Sequence, residues 1–158
     1  MEHYYRKPLR LPTYDYSENG AYFLTICTQD KRCLFWDGPE AILNAGGRMV
    51  GIWVEKLPEK YPGVWVDCYA IMPNHIHILL HFQNTQTELQ AVMDWFKTMT
   101  TNAYIRMVKE GNAPSFGKRV WQRSYYEHVV RNDADLSEIQ TYIQNNPLKW
   151  QLDRFYRE

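Results

Sequence analysis

The order of strand and helix patterns is the feature that most restricts the fold of this chain. Runs rich in β-branched and aromatic residues predict four strands, at Ala21–Thr28, Val64–Met72, His75–Phe82 and Ser124–Val130. Apolar residues at helical spacing predict helices after the first, third and fourth strands. The resulting order, β-α-β-β-α-β-α, predicts an α+β fold: a ferredoxin-like β-α-β-β-α-β antiparallel sheet with an additional C-terminal helix.

This topology determines where each helix lies relative to the sheet. The first and third strands are expected at the centre of the sheet, with the first two helices over one face. The last helix is then free to cover part of the other face. We expect it to begin at Asn132 or Asp133. Its inward stripe is expected to contain Leu136, Ile139 and Ile143.

The first helix is predicted to begin at DGPE, Asp37–Glu40. Asp37 is a suitable capping residue, and Pro39 fits the first turn of a helix. Residues at helical spacing then form its candidate inward stripe: Ile42, Gly46, Met49, Trp53 and Leu57. Two adjacent glycines weaken a helix, so Gly46–Gly47 marks a candidate break in it.

The length of 158 residues predicts one domain, residues 1–158, with residues 1–20 as a basic, turn-rich N-terminal arm. Hydrophobic residues make up 45% of the chain, which argues against disorder. No apolar run approaches the roughly 20 residues of a membrane helix, so we expect no membrane association. The three cysteines show no CxxC spacing and are typical of free thiols, which favours the cytoplasm.

Charge gives a mixed indication about nucleic acid. The formal net charge of zero argues against a nucleic-acid binder, because phosphate binding usually requires a basic excess. Two local clusters are nevertheless basic, namely Arg6, Lys7 and Arg10 near the start and Lys118, Arg119 and Arg123 later. Such clusters fit either a surface that contacts the phosphates of a short DNA segment or ordinary solvated charge.

A pair of histidines on the third strand is the first candidate site. Side chains alternate along a strand, so His75 and His77 point together from the sheet face opposite the first two helices. Two imidazoles at this spacing on a rigid strand can chelate one metal ion. A hydrogen-bonded or surface histidine pair is the ordinary alternative for this pattern.

The last helix adds two residues to this candidate. Tyr142 and Asn146 are four residues apart and therefore neighbours on one helix face. If the helix crosses the open sheet face, the Asn146 amide oxygen and the Tyr142 phenol approach the histidines. A phosphodiester can be cleaved by a positioned phenol when a metal ion stabilises charge on the phosphate. The nitrogen and oxygen ligands favour Mg²⁺ or Mn²⁺ over structural zinc.

Three segments together resemble the IS200/IS605-like single-tyrosine (HUH) transposases. MPNHIHILL (Met72–Leu80) is similar to their His-hydrophobic-His strand. WQRSYYEHVVRNDADLSEIQTYIQNNPLKW (Trp121–Trp150) resembles the C-terminal part of the REP-associated branch. RKPLRLPTYDYSENGAYFLTICTQ (Arg6–Gln29) is similar to the basic start and first strand of the family. The resemblance covers nearly the whole chain.

The resemblance implies an enzyme that cleaves and rejoins single-stranded DNA near hairpins through a covalent 5′-phosphotyrosine intermediate, without a nucleotide cofactor. It implies that His75 and His77 bind the metal, that Tyr142 is the nucleophile and that Asn146 is the third ligand. Members of the family are known as homodimers and as monomers, so both states stay open.

Two other classes of function compete with this one. A ferredoxin-like domain can bind hairpin or single-stranded nucleic acid without cutting it, although such sheets usually present aromatic residues on their central strands. The third predicted strand presents histidines there instead, which favours metal chemistry. A structural domain that binds no nucleic acid is the other alternative, and the zero net charge supports it.

Overall fold

The computed structural model describes residues 3–5 and 20–157, which form a five-stranded antiparallel sheet with helices on both faces. The strands are β1 (His3–Tyr5), β2 (Gly20–Cys27), β3 (Val64–Ile71), β4 (His75–Phe82) and β5 (Tyr126–Val129). Their order across the sheet is β1-β3-β4-β2-β5. The two strands predicted at the centre, β2 and β4, are neighbours there, which confirms the ferredoxin-like topology. Strand β1 is an additional edge strand that the sequence patterns did not predict.

The helices follow the predicted order. They are α1 (Ala45–Glu55), α2 (Leu57–Lys60), α3 (Leu89–Lys109) and α4 (Asp133–Asn145). Short 3₁₀ turns occupy Gln29–Lys31 and Asn146–Leu152. None of the helices among the described residues is long and apolar enough to cross a membrane.

The main core lies between the sheet and helices α1 and α3. The side chains of Ile76, Ile78 and Leu80 on β4 are fully buried against this pair of helices. Val54 of α1 and Phe96 of α3 pack into the same cluster. The apolar half of the alternating strand pattern therefore faces the helices, as predicted, and the histidine half faces the other side of the sheet.

The predicted start of α1 is wrong, because the helix begins at Ala45 and not at Asp37. Asn44 caps it, since its Oδ1 accepts a hydrogen bond from the Gly47 backbone N–H at 2.9 Å. Gly47 lies so close to the Phe35 carbonyl oxygen that a side chain there would collide with it. The glycine pair is thus the first turn of the helix and not a break in it.

Helix α4 covers the second face of the sheet and forms a smaller core. Leu136, Ile139 and Ile143 are buried there, as predicted, against Leu79 of β4 and Ala70 of β3. The N-cap is Asn132, whose side chain accepts from the Asp135 N–H at 2.8 Å. The position of α4 matters for function because this helix carries Tyr142 and ends at its C-cap Asn146.

A buried polar network attaches α4 to the sheet. Asp67 of β3 and His81 of β4 are fully buried and 2.8 Å apart. The Gln140 amide of α4 donates to both Asp67 carboxylate oxygens, at 3.1 and 3.0 Å. Trp65 stacks on the His81 ring, with the centroids 3.9 Å apart. A buried polar group stabilises only when its partners are present, so this network favours one position of α4 over others.

We expect Gln140→Ala to lower the free energy of unfolding by roughly 1.5–3 kcal/mol, because it removes hydrogen bonds to a buried carboxylate. Urea unfolding followed by circular dichroism measures this loss. Gln144→Ala changes the same residue type on the same helix, where no hydrogen bond of its side chain is seen among the described residues. Equal stability of the two variants would show that the network does not hold the helix.

Candidate metal and tyrosine site

The two predicted histidine ligands begin β4 and are buried, with exposures of 0% for His75 and 2% for His77. Their partners in the sheet register are Cys27 and Thr25 of the neighbouring strand β2. Both rings point to the face that carries α4, and their centroids are 4.8 Å apart. The sheet therefore holds the two imidazoles side by side, as a chelating pair requires.

Hydrogen bonds orient the His75 ring through its Nδ1 atom. The Asn74 amide nitrogen donates to the backbone carbonyl oxygens of Phe155 (2.7 Å) and Lys31 (3.2 Å). Its oxygen therefore faces His75 and accepts from Nδ1 at 2.8 Å. With the proton on Nδ1, Nε2 of the neutral ring carries the lone pair that a metal ion binds.

Thr25 contacts the Nδ1 atom of His77, as Asn74 contacts that of His75. Its hydroxyl lies 2.9 Å from His77 Nδ1, and both side chains are buried. This contact leaves Nε2 of His77 facing the same space as Nε2 of His75. A hydrogen-bond partner on the second ring nitrogen is what metal-binding histidines usually have.

Four buried polar atoms without a hydrogen-bond partner meet at this point. They are Nε2 of His75, Nε2 of His77, Oδ1 of Asn146 and Oδ2 of Asp153. The ligand atoms of His75, His77 and Asp153 lie within 4.8 Å of one another. Buried polar groups are nearly always satisfied in folded proteins, so orphans that share one space indicate a missing partner. The donor set, two imidazoles with a carboxylate and an amide oxygen, fits a divalent cation such as Mn²⁺ or Mg²⁺.

Asp153 is the residue of this cluster that sequence reasoning missed. It follows the 3₁₀ turn Asn146–Leu152, which brings the chain back from α4 to the start of β4. Oδ1 accepts a hydrogen bond from the Phe155 N–H at 2.8 Å, and Oδ2 lies 3.5 Å from His75 Nε2. Its position beyond Pro147, where the helix pattern ends, offered no periodic signal. An acidic residue soon after the NNP segment was the only available hint.

Burial and charge put each group in the state that binds metal. Burial lowers the pKa of His77 well below its usual range, and the neighbouring His75 lowers it further. Burial also lowers the pKa of His75, although Asp153 opposes this effect. Burial raises the pKa of Asp153, but its contacts with His75 and the Phe155 N–H outweigh burial and hold that pKa below its ordinary value. Neutral imidazoles beside an ionised carboxylate are the forms that coordinate a metal ion.

Tyr142 stands beside this cluster at the surface of the protein. Its side chain is 49% exposed, and its ring centroid is 5.3 Å from that of His77 and 5.9 Å from that of Phe23. Asn146, four residues later, is buried and close enough to His77 to act on the histidine pKa. The structure thus brings together all four residues of the predicted site, with a phenol that solvent and substrate can reach.

We expect Thr25→Val to weaken Mn²⁺ binding by roughly 10- to 100-fold, because the His77 ring loses the partner that orients it. Isothermal titration calorimetry of the purified protein measures this affinity. Thr25→Ser keeps the hydroxyl and should bind Mn²⁺ nearly as tightly as the wild type. If valine and serine behave alike, the hydroxyl does not prepare the histidine for metal binding.

The basic residues predicted to contact phosphates lie outside the metal cluster or outside the described residues. Arg6, Lys7 and Arg10 lie outside the described residues. Lys118 and Arg123 are exposed and Arg119 is half-buried, in the loop between α3 and β5. This loop runs along the end of β2 that carries Cys27, because the Gln122 N–H donates to the Cys27 carbonyl at 2.9 Å. It therefore lies at the same end of the sheet as His75, although none of its basic residues enters the metal cluster.

Three aromatic residues near this loop, Trp121, Tyr125 and Tyr126, differ in how accessible they are to an unpaired base. Trp121 is 3% exposed, packs in the main core and donates from Nε1 to Thr100 Oγ1 at 2.8 Å. It is therefore not accessible to a nucleotide. Tyr125 is half-buried against the same core, whereas Tyr126 is 55% exposed. Of these three aromatic residues, Tyr126 is the most accessible to a base.

Comparisons with known proteins point to one family. Residues 57–146 match the family described as IS200-like transposases. An uncharacterised protein of Haemophilus influenzae is 34% identical over 97% of this chain and 94% of its own length. The REP-associated tyrosine transposase of Escherichia coli is 20% identical over 90% of this chain and 81% of its own length.

A solved structure shows the same fold. It is that of a REP-associated tyrosine transposase bound to a REP hairpin, and it superposes with a TM-score of 0.62 at 19% identity. The match covers 94% of this chain and 72% of that one. The shared fold therefore includes both the histidine strand and the tyrosine helix.

Proposed function

Because this chain belongs to the IS200-like single-tyrosine transposases, in their REP-associated branch, we propose that it cleaves and rejoins single-stranded DNA at hairpins through Tyr142. The observation that carries this proposal is the group of four unsatisfied buried atoms beside a half-exposed phenol. Phosphodiester cleavage requires a metal site next to an accessible nucleophile. A module that only binds DNA does not require this combination. We propose that residues 1–158 act as one catalytic domain in the cytoplasm.

His75, His77, Asn146 and Asp153 would hold the metal ion, Mg²⁺ or Mn²⁺. When bound, a divalent cation supplies Lewis acidity to the non-bridging phosphate oxygens. The protein keeps the two imidazoles neutral by burial and the carboxylate ionised through its contacts. The two nitrogen ligands favour Mn²⁺ in affinity, while Mg²⁺ is the more abundant ion.

Tyr142 carries out the covalent step. Its phenolic oxygen attacks phosphorus, the bond from phosphorus to the 3′ oxygen breaks, and a 5′-phosphotyrosine forms. In balance, one proton passes from the phenol to the departing 3′ oxygen. A second 3′-OH can reverse the same step and release the tyrosine, so rejoining needs no ATP. The aromatic contacts with His77 and Phe23 limit the directions in which the ring points.

We propose that DNA reaches this site along the loop between α3 and β5. Lys118, Arg119 and Arg123 lie at the same end of the sheet as the histidines, where they can contact phosphates. Arg6, Lys7 and Arg10 are further candidates from the N-terminal arm. Hairpin DNA as the substrate is supported by the REP hairpin bound to the related protein of known structure. Both a monomer and a homodimer are compatible with this scheme.

A denaturing gel with labelled single-stranded hairpin oligonucleotides tests the proposal. Wild-type protein with Mn²⁺ or Mg²⁺ should give a slow-migrating covalent adduct together with a shortened DNA product. The same reaction with EDTA should give neither species. A clear shift on a native gel with no adduct across a wide hairpin panel would favour a non-catalytic nucleic-acid-binding module.

A further inference from the structure

A groove of about 820 Å³ opens between α4 and the C-terminal segment. Its walls include Tyr142, Asn145 and Asn146 of α4 and its end, and Lys149, Leu152 and Arg154 of the following segment. We call it the α4 groove. Its volume falls within the usual range of pockets that bind small organic molecules.

The α4 groove leads directly to the proposed catalytic centre. Asn146 and Asp153 line it, and each carries one of the unsatisfied buried oxygens of the metal cluster. Tyr142 lines it too, with half of its side chain exposed. A phosphate that touches both the metal cluster and the phenol must lie at the inner end of this groove. The nucleotide joined to that phosphate would then lie in the α4 groove.

Arg154 gives the groove a cation near the cluster. Its guanidinium lies 4.7 Å from the Phe155 ring centroid and 5.6 Å from that of Tyr126, so two aromatic rings support it. Its charge also contributes to lowering the pKa of both His75 and His77. No carboxylate is seen in an ion pair with it among residues 20–157. A cation beside a cation site is favourable when an anion such as a phosphate lies between them.

The remaining walls fit the other parts of a nucleotide. Leu152 is 85% exposed, and its apolar side chain is available to a flat base, as is the Tyr142 ring. Asn145 offers an amide that can donate to and accept from a base edge. Lys149 adds a second positive charge, while Glu138, one turn before Tyr142 on α4, disfavours a chain of phosphates along that part of the helix. The groove thus fits a nucleotide or two better than a long strand.

We propose that the α4 groove binds the unpaired nucleotide that flanks the scissile phosphate, with Arg154 on the phosphate and Leu152 on the base. This inference rests on the proposed function, because it needs a phosphate at the metal cluster. It adds a subsite that selects the base at the point of cleavage. The base is held by stacking and apolar contact, so the groove favours an unpaired base over a paired one.

The test combines protein variants with modified DNA. The Tyr142→Phe background keeps the DNA uncut while its affinity is measured by fluorescence anisotropy. Leu152→Ala should weaken binding of an intact hairpin oligonucleotide roughly three- to tenfold, because it removes an apolar contact with the base. The loss should disappear when one nucleotide flanking the cleavage position is made abasic. Ile52→Ala, at an exposed position on α1, is the matched control and should bind both DNAs as the parent does.

Arg154→Ala provides an independent variant, with Arg106→Ala on the exposed side of α3 as its control. Arg154→Ala should weaken DNA binding and reduce its dependence on salt, whereas Arg106→Ala should do neither. Equal losses for Leu152→Ala on intact and abasic DNA, or DNA binding unchanged in both groove variants, would overturn the subsite. If wild-type protein forms the covalent adduct in that case, the proposed function stands and only the groove assignment fails. If the wild-type protein forms no adduct, both the proposed function and the groove assignment fail.

Discussion

Tyr142→Phe is expected to abolish the covalent protein–DNA adduct, to below about a thousandth of the wild-type amount. The substitution removes one oxygen atom and keeps the ring, so the contacts with His77 and Phe23 can persist. Because half of the side chain is exposed, the change should leave the fold and its stability nearly intact. DNA binding should therefore be retained while strand cleavage is lost. A denaturing gel for the adduct and a native gel for binding measure the two properties separately.

Tyr61→Phe is the matched control for this variant. It removes a phenolic oxygen that donates to the Ala91 carbonyl at 3.3 Å, on the side of the sheet that α1 and α3 cover. It should form the adduct at the wild-type level. With twelve tyrosines in the chain, the comparison distinguishes loss of the nucleophile from a general effect of losing a hydroxyl. An adduct that persists in Tyr142→Phe would assign the nucleophile to another residue.

His77→Ala is expected to lower both Mn²⁺ affinity and metal-dependent cleavage by more than about 100-fold. Loss of a partner that only orients a ligand costs roughly 10- to 100-fold, and loss of the ligand itself should exceed that range. The metal cluster would keep His75 and the two oxygen ligands, so weak binding at high metal concentration should remain. Calorimetry with Mn²⁺ measures the affinity independently of activity, and the gel assay measures cleavage.

His77 is buried, so a second variant and a control are needed. His77→Gln fills more of the space than alanine and guards against a loss that comes from a cavity alone. His128→Gln makes the same change at an exposed histidine whose Nε2 is 2.8 Å from Asp135 Oδ2. It should retain metal binding and cleavage. Full activity of both His77 variants would exclude the histidine pair from the mechanism.

The two expected effects test different parts of one site. The tyrosine variant should lose the covalent step and keep metal binding, whereas the histidine variant should lose metal binding first. Both follow from the position of α4, which the buried Asp67–His81–Gln140 network attaches to the sheet. A defect in that network should reduce stability without removing any reacting group.

The succession of the four main strands and the helices along the chain was predictable because the relevant patterns are local. Alternation along His75–Phe82 separates a histidine face from an apolar face regardless of the rest of the chain. Spacing on a helix makes Tyr142 and Asn146 neighbours in the same way. The inward stripe of α4 was also predicted, since three apolar residues at helical spacing need a surface to cover.

The start of α1 was not predictable in this way. The DGPE segment has good helix-start chemistry, but the chain there pairs Trp36 with Leu43 in an isolated bridge. The Asn44 amide nitrogen then donates to the Leu34 carbonyl at 3.0 Å and to that of Trp36 at 3.3 Å. These tertiary contacts place the cap seven residues later than the local pattern indicates. Close packing on Phe35 also explains why Gly47 occurs inside a helix.

The sequence by itself determined the order of the main strands and helices along the chain, the strand face that carries the histidines and the helix that carries the tyrosine, because strand alternation and helical spacing act over a few residues. Only the tertiary structure decided that α4 returns to the head of β4 and that the segment after it delivers Asp153 to the same point. It also decided that a groove opens beside Tyr142. The first two features depend on contacts between residues far apart in the chain, and the groove depends on how the segment after α4 folds back beside that helix. No local periodicity encodes either kind of contact.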